Sequence, residues 1–254
     1  MFSHYMRAFI IALAGRLSAI RCGDRTLDRI GSSESLRTLI RHPFPELNMT
    51  AVNPRLAENP RLADYPIDPL FLERWSPRAF TDETIQEAEL LTLFEAARWA
   101  PSAANAQPWR FLYARRGTAH WDKFLGLLVP FNQTWASRAA ALIVLVSDPL
   151  FLRPGTDEPT TLRSQSLDAG AAWASLALQA TRDGWRAHGM GGIDLERAAV
   201  ELNVPPGHRV ELAIAIGRPS DRSSLPEALQ AREFPSGRKR VAEFAFEGGF
   251  AAAG

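Results

Sequence analysis

An α+β domain, with helices packed around a central sheet, is what this 254-residue sequence predicts. Three observations carry that expectation. Residues 141–146, Ala-Leu-Ile-Val-Leu-Val, are an unbroken apolar run of strand length, suited to a strand buried on both faces. Residues 84–87, Thr-Ile-Gln-Glu, have the pattern of a capping box, with Leu90, Leu91, Phe94 and Ala97 following on one helical face, so a helix is expected over 85–99. Residues 166–182 form a long helical pattern crowded with Ala169, Gly170, Ala171, Ala172, Ala174, Ser175, Ala177 and Ala180. A face of such small residues allows close approach by a neighbouring helix or by a second subunit, and Gly184 stands where a C-terminal cap would end the helix.

The remaining elements follow in chain order. Residues 1–23 hold Arg7, Arg16 and Arg21, no acidic residue, and a short apolar run at 8–14, far below the roughly 20 residues that span a bilayer. A secretory signal is disfavoured by Arg25, Arg29, Arg37 and Arg41, and an amphipathic targeting segment soon meets Asp24, Asp28 and Glu34. The preferred reading is a poorly ordered N-terminal extension over 1–48. Residues 49–66, with Pro54 and Pro60, read as an arm or linker. Asp68 and Pro69 have the character of an N-cap and a first helical residue. Residues 109–113 suit a strand, 118–128 a helix ended by Pro130, and 209–216 a further strand. Residues 148–162, with Pro149, Pro154, Gly155 and Pro159, form only a short excursion between strand and long helix.

Composition excludes more than it identifies. Hydrophobic residues are 46% and charged residues 22%, as in an ordinary globular protein. With 29 basic residues against 28 acidic ones, the basic surface that a nucleic-acid partner requires is not evident. Cys22 is the single cysteine, which excludes an intrachain disulfide and a cysteine metal cluster and suits a reducing, cytoplasmic setting. No His-Glu-x-x-His, Gly-x-Ser-x-Gly or paired metal ligands occur, so no side chain is expected to be the catalytic acid, nucleophile or metal ligand.

Two stretches carry chemistry. In Arg74-Trp75-Ser76-Pro77-Arg78, an extended backbone of period two places two guanidinium groups and one hydroxyl on the same side, as a terminal phosphate needs. Alone, such a triplet is usually a solvated surface patch. Between Pro101 and Pro108, Ser102, Asn105 and Gln107 offer a hydroxyl and two carboxamides, groups that match the alternating donors and acceptors of a heterocycle edge. A third stretch, His188-Gly189-Met190-Gly191-Gly192-Ile193-Asp194, lets backbone approach a flat ligand closely. It also reads as a turn with Asp194 capping the next helix. The dinucleotide fingerprint Gly-x-Gly-x-x-Gly is not met there.

Arg-x-Ser-x-Arg-x-Phe at 74–80, a helix, and Ala-Pro-Ser-x-x-Asn-x-Gln-Pro-Trp at 100–109 resemble, in order and spacing, the FMN-dependent nitroreductase family, over residues 68–247. The resemblance implies a central mixed, mostly antiparallel sheet surrounded by helices in an intertwined homodimer, with the FMN-binding domain and its C-terminal arm over 67–254. It implies FMN contacts from Arg74, Trp75, Ser76 and Arg78; from Pro101, Ser102, Ala103, Asn105 and Gln107; from Asn132, Met190, Gly191 and Gly192; and from Arg238 on the phosphate. The register of Arg238 is loose by a residue or two, because the chain reads Arg238-Lys239-Arg240 where many members have Arg-Lys-Pro. The implied reaction passes a hydride from NADH or NADPH through flavin N5 to small electrophiles such as quinones or nitroaromatics, in a homodimer that needs neither nucleic acid nor membrane. The alternative is a flavin-binding or flavin-handling protein on the same fold without nicotinamide turnover.

Overall fold

The computed structural model describes residues 59–250. The extension expected over 1–48 and residues 49–58 of the expected arm lie outside them. Within the described residues the sheet has the order β1-β2-β6-β5, where β1 is Trp109–Arg115, β2 Ala141–Ser147, β5 Arg186–Met190 and β6 Arg209–Gly217. Every neighbouring pair in it is antiparallel, so the mixed sheet implied by the resemblance is purely antiparallel here.

The apolar run forms β2, and every residue of it is buried, because both faces of the sheet are covered. Alternate residues divide between two cores, as the period of a strand demands. Leu142, Val144 and Val146 face one core with Ala213 and Ala215. Ala141, Ile143 and Leu145 face the other with Ile214 and Ile216. The second core is closed by α2 (Glu87–Arg98) and α5 (Gln165–Arg182), which pack on each other and supply Leu90, Leu93, Ala172, Leu176 and Ala180. The first is closed by α3 (Trp121–Gly126), α4 (Pro130–Ala136) and α6 (Leu195–Glu201), through Trp121, Phe124, Trp135 and Ala198. The long small-residue helix therefore buries Ala169, Ala172, Ala177 and Ala180 inside its own chain, while Ala174 remains exposed.

Local signals set most boundaries. Helix α1 (Pro69–Glu73) begins as expected, the Asp68 carboxylate accepting from Leu70 N at 2.8 Å. Helix α2 begins two residues later than its sequence pattern suggests, because Glu89 rather than Glu87 turns back to accept from the Gln86 N–H at 3.0 Å. The helix expected over 118–128 shortens to α3, and Pro130 starts α4 rather than ending a helix. A first-turn position has no intrahelical use for the N–H that proline lacks, so the same residue serves as a start signal. Asn132, expected in a loop, consequently sits in the first turn of α4. Residues 148–162 fold into a small hairpin, β3 (Leu150–Leu152) against β4 (Pro159–Thr161). A short helix, α7 (Glu227–Gln230), precedes the C-terminal segment. No described helix is long and apolar enough to cross a membrane.

Candidate active site

A cavity of about 520 Å³ opens where the Arg74 stretch meets the end of β5, within the range of small-molecule and cofactor sites. Arg74 and Ser76 line it on one side, Trp173, Ala174 and Ala177 of α5 on another, and Gly189, Met190 and Gly191 along β5 and just beyond. Glu211 and Leu212 of β6 complete the wall. Glu211 is held by the Ser147 and Ser166 hydroxyls, which donate to its Oε1 at 2.6 and 2.7 Å.

Arg74 has extended backbone, with φ −68° and ψ 114°, and its Nη1 donates to Ser76 Oγ at 3.3 Å, while Arg78 sits at a bend. Arg238 stands close enough to lower the pKa of Arg74, an effect second to burial of the Arg74 guanidinium itself. Arg61 joins the group: burial first, then the charges of Arg238 and Arg74, bring its pKa down to about 10. The ion pairs of this region go instead to Arg78 and Arg240, through Glu233 and Asp64. Among the described residues none reaches Arg61, Arg74 or Arg238. Arg61 and Arg74 are half-buried and Arg238 is exposed. Like charges gathered in this way, with no carboxylate between them, leave positive potential that an anion can neutralise.

Arg78, the other arginine of the triplet, is differently employed. Its Nη1 lies 3.6 Å from Oε2 of Glu233, and the same buried carboxylate accepts from the backbone N–H groups of Arg78 and Ala79 at 2.6 and 2.8 Å. Glu233 therefore fixes both the backbone and the guanidinium at this point. Sequence reasoning missed it because it stands 155 residues from Arg78, and missed Arg61 because that residue belongs to no motif and lies in a segment read as linker. Trp75 is half-buried beside them.

The glycine segment divides in function. A Cβ on Gly189 would lie 3.2 Å from Trp173 Cζ2, so the absent side chain is needed for helix packing there. A Cβ on Gly192 would lie 2.5 Å from Asn132 Nδ2 and 2.9 Å from Val129 Cγ2, and Asn132 Nδ2 donates to the Gly192 carbonyl at 3.0 Å. Gly191 alone of the three meets nothing within 4 Å and leaves the cavity floor open. Asp194 is also the cap that the turn reading foresaw, accepting from Arg197 N at 3.0 Å.

The second stretch lies elsewhere. Pro101, Ser102 and Ala103 line a separate hollow of about 580 Å³ with Ser166, Leu167, Asp168, Gly170 and Ala171, on the first turns of α5. The loop is held in an unusual backbone: Ala104, Asn105 and Gln107 have φ of 52, 55 and 50°. Such left-handed residues cost about 1–3 kcal/mol each and gather at ligand clamps and active sites. The buried Asp168 accepts from Ala103 N at 3.1 Å and from Ser164 Oγ at 3.0 Å, and Ser102 Oγ accepts from Gln107 N at 3.0 Å. The Gln107 carboxamide donates to the Asn105 carbonyl at 3.1 Å, while the Asn105 side chain is exposed. A single chain thus brings Arg74, Ser76, Met190, Gly191 and, electrostatically, Arg238 together, and keeps 101–107 in a neighbouring hollow. Trp135 of α4 is buried in the first core and does not line either hollow.

An antiparallel sheet between helices, with a cationic end to a glycine-floored cavity, defines the class of protein; comparison with known proteins defines the family. Residues 72–129 match the model of the nitroreductase family. A solved structure of an oxidoreductase containing FMN is 47% identical, covers 77% of this chain and 98% of its own, and superposes with a TM-score of 0.73. An uncharacterised 15.4 kDa protein of Mycolicibacterium smegmatis is 35% identical over 147 residues, 55% of this chain and 95% of that protein. An NADH dehydrogenase of Thermus thermophilus is 27% identical over 177 residues, 59% of this chain and 85% of that protein. This chain belongs to the nitroreductase family.

Proposed function

We propose that the protein is an FMN-dependent oxidoreductase that draws electrons from NADH or NADPH and delivers them to small electrophiles such as quinones or nitroaromatics. The observation that carries this reading is Arg74 on the wall of a cavity whose floor is open at Gly191, with Arg61 and Arg238 gathered about it and none of the three paired with a carboxylate among the described residues. The residues fit FMN: the arginines and Ser76 suit its phosphate, and the flat Gly189–Gly191 backbone suits a ring. FMN, when bound, supplies two-electron redox chemistry that no side chain here provides.

The chain's own residues hold, orient and admit. Arg74, Ser76 and Arg238 bind the phosphate. Arg78, oriented by Glu233, offers a positive charge to the ring, with Asn132 assisting through the backbone of Gly192. Trp75, Met190, Gly191 and Gly192 shape the ring site. Residues 101–107, with Pro101, Ser102, Ala103, Asn105 and Gln107, serve the ring bound to a second copy of the chain. The strained loop and the hollow beside it support a homodimeric arrangement of this kind.

The test is the visible spectrum of the purified protein, taken without oxygen before and after adding NADH or NADPH. Flavin bands that bleach, and recover on adding a quinone or nitroaromatic, are the expected result. Bands that persist point to a flavin-binding protein without nicotinamide turnover, and a protein that takes up no flavin overturns both readings.

A further inference from the structure

Arg61 lies in the segment read from sequence as linker, yet one guanidinium joins two regions of the domain. Its Nη1 donates to the carbonyls of Leu72 at 3.1 Å and Arg74 at 2.7 Å, and its Nε donates to the carbonyl of Ser236 at 2.8 Å. Leu72 and Arg74 lie at the C-terminal end of α1, where carbonyls lack helical partners and a positive charge is favoured. Asn59 supports the same junction, its Nδ2 donating to Leu72 O at 2.9 Å. Ser236 in turn accepts from Arg238, whose Nη1 lies 3.0 Å from Ser236 Oγ. A chain of hydrogen bonds therefore runs from the Arg74 backbone through Arg61 to Ser236 and Arg238.

We propose that Arg61 is a positioning residue of the anion site: its planar fork ties the C-terminal segment to the start of the phosphate stretch, setting Arg238 beside Arg74. This rests on the FMN reading above. Arginine suits the task because its donors leave one rigid plane in fixed directions, whereas a lysine presents a single point of charge. The arrangement crowds like charges together, and a bound phosphate relieves that repulsion.

The test uses the full chain, with FMN and riboflavin as probes. Arg61→Gln is expected to raise the FMN Kd about tenfold and to change the riboflavin Kd less than twofold, since riboflavin lacks the phosphate. A merely structural role weakens both ligands alike and overturns the proposal. Arg61→Lys is expected to stay within about threefold of Arg61→Gln; recovery of wild-type affinity by lysine overturns the strut in favour of bare charge. In an Arg238→Gln background, Arg61→Gln is expected to add less than twofold. Hydrogen exchange on the ligand-free protein supplies an independent reading, with faster exchange over 234–240 expected in Arg61→Gln. Wild-type protein that binds neither flavin overturns the FMN reading and this proposal together. Wild-type preference for FMN that survives Arg61→Gln, with exchange unchanged, overturns this proposal alone.

Discussion

The Nδ1 atom of His188 lies 2.9 Å from the carbonyl oxygen of Pro77, joining β5 to the middle of the 74–78 stretch. A carbonyl only accepts, so Nδ1 carries the proton. Burial lowers the pKa of this histidine to about 4, with Arg78 and Arg74 adding to the effect and the Pro77 hydrogen bond opposing it. Its ring also packs against Trp135, centroid to centroid at 4.7 Å.

A pH dependence of stability follows. The folded pKa is about 4 against an ordinary 6.5, so the unfolded chain takes up the proton first as pH falls. The full contribution is present above pH 6.5, declines through the interval down to pH 4 and is then lost, for a total of about 3 kcal/mol. Urea unfolding between pH 7 and 4 should show this loss in the wild type. His188→Asn should be less stable at pH 7 and flatter across the interval; an equally steep profile in the variant would show that another group is responsible.

The glycines at 191 and 192 should behave oppositely. Gly192→Ala drives a methyl into Asn132 and Val129 and is expected to cost about 1–3 kcal/mol, the usual range for overpacking. Adding Asn132→Ala should recover part of that loss. Gly191→Ala meets open space and should leave ligand-free stability within about 0.5 kcal/mol while weakening FMN binding. Thermal melts and flavin titrations of the same variants separate the two effects.

Removing the Glu233 side chain leaves two backbone donors and a largely buried guanidinium without their acceptor. Glu233→Ala is expected to cost about 3–5 kcal/mol. Denaturant unfolding measures the loss. Where flavin is bound, Glu233→Gln should also raise the flavin midpoint potential, because Arg78 then acts without a compensating negative charge. An unchanged or lower potential would remove Arg78 from the ring's electrostatics.

Asp168 restrains the left-handed backbone of the 102–107 loop from the first turn of α5. Asp168→Ala strands the Ala103 N–H and should cost about 1–3 kcal/mol. Limited proteolysis is expected to cut this loop faster in the variant than in the wild type, and equal rates would show that the loop is held by its own internal hydrogen bonds.

Much of the fold is local and was therefore legible. The apolar run that became β2, the Asp68 and Asp194 caps and the small-residue pattern of α5 act over a turn or a strand, where neighbouring residues set the geometry. Errors fell where one residue type serves two local purposes: Pro130 starts a helix as readily as it stops one, and Glu87 and Glu89 both offer a carboxylate to an opening turn. The arginine triplet and the glycine segment were visible for the same reason, as short patterns with a stereochemical meaning.

Only tertiary structure decided how the two arginines of that triplet divide their work. Glu233, 155 residues from Arg78, claims one of them, while Arg74 shares its surroundings with Arg61 and Arg238. His188 reaches Pro77 across 111 positions and Arg61 reaches Ser236 across 175. The sequence by itself determined β1, β2, β6, α1, α2, α5 and the charge-bearing motifs, because capping, periodicity and backbone restriction act between near neighbours. The partners of the buried charges were decided in three dimensions, because a carboxylate or carbonyl placed beside a guanidinium by chain folding leaves no pattern along the chain.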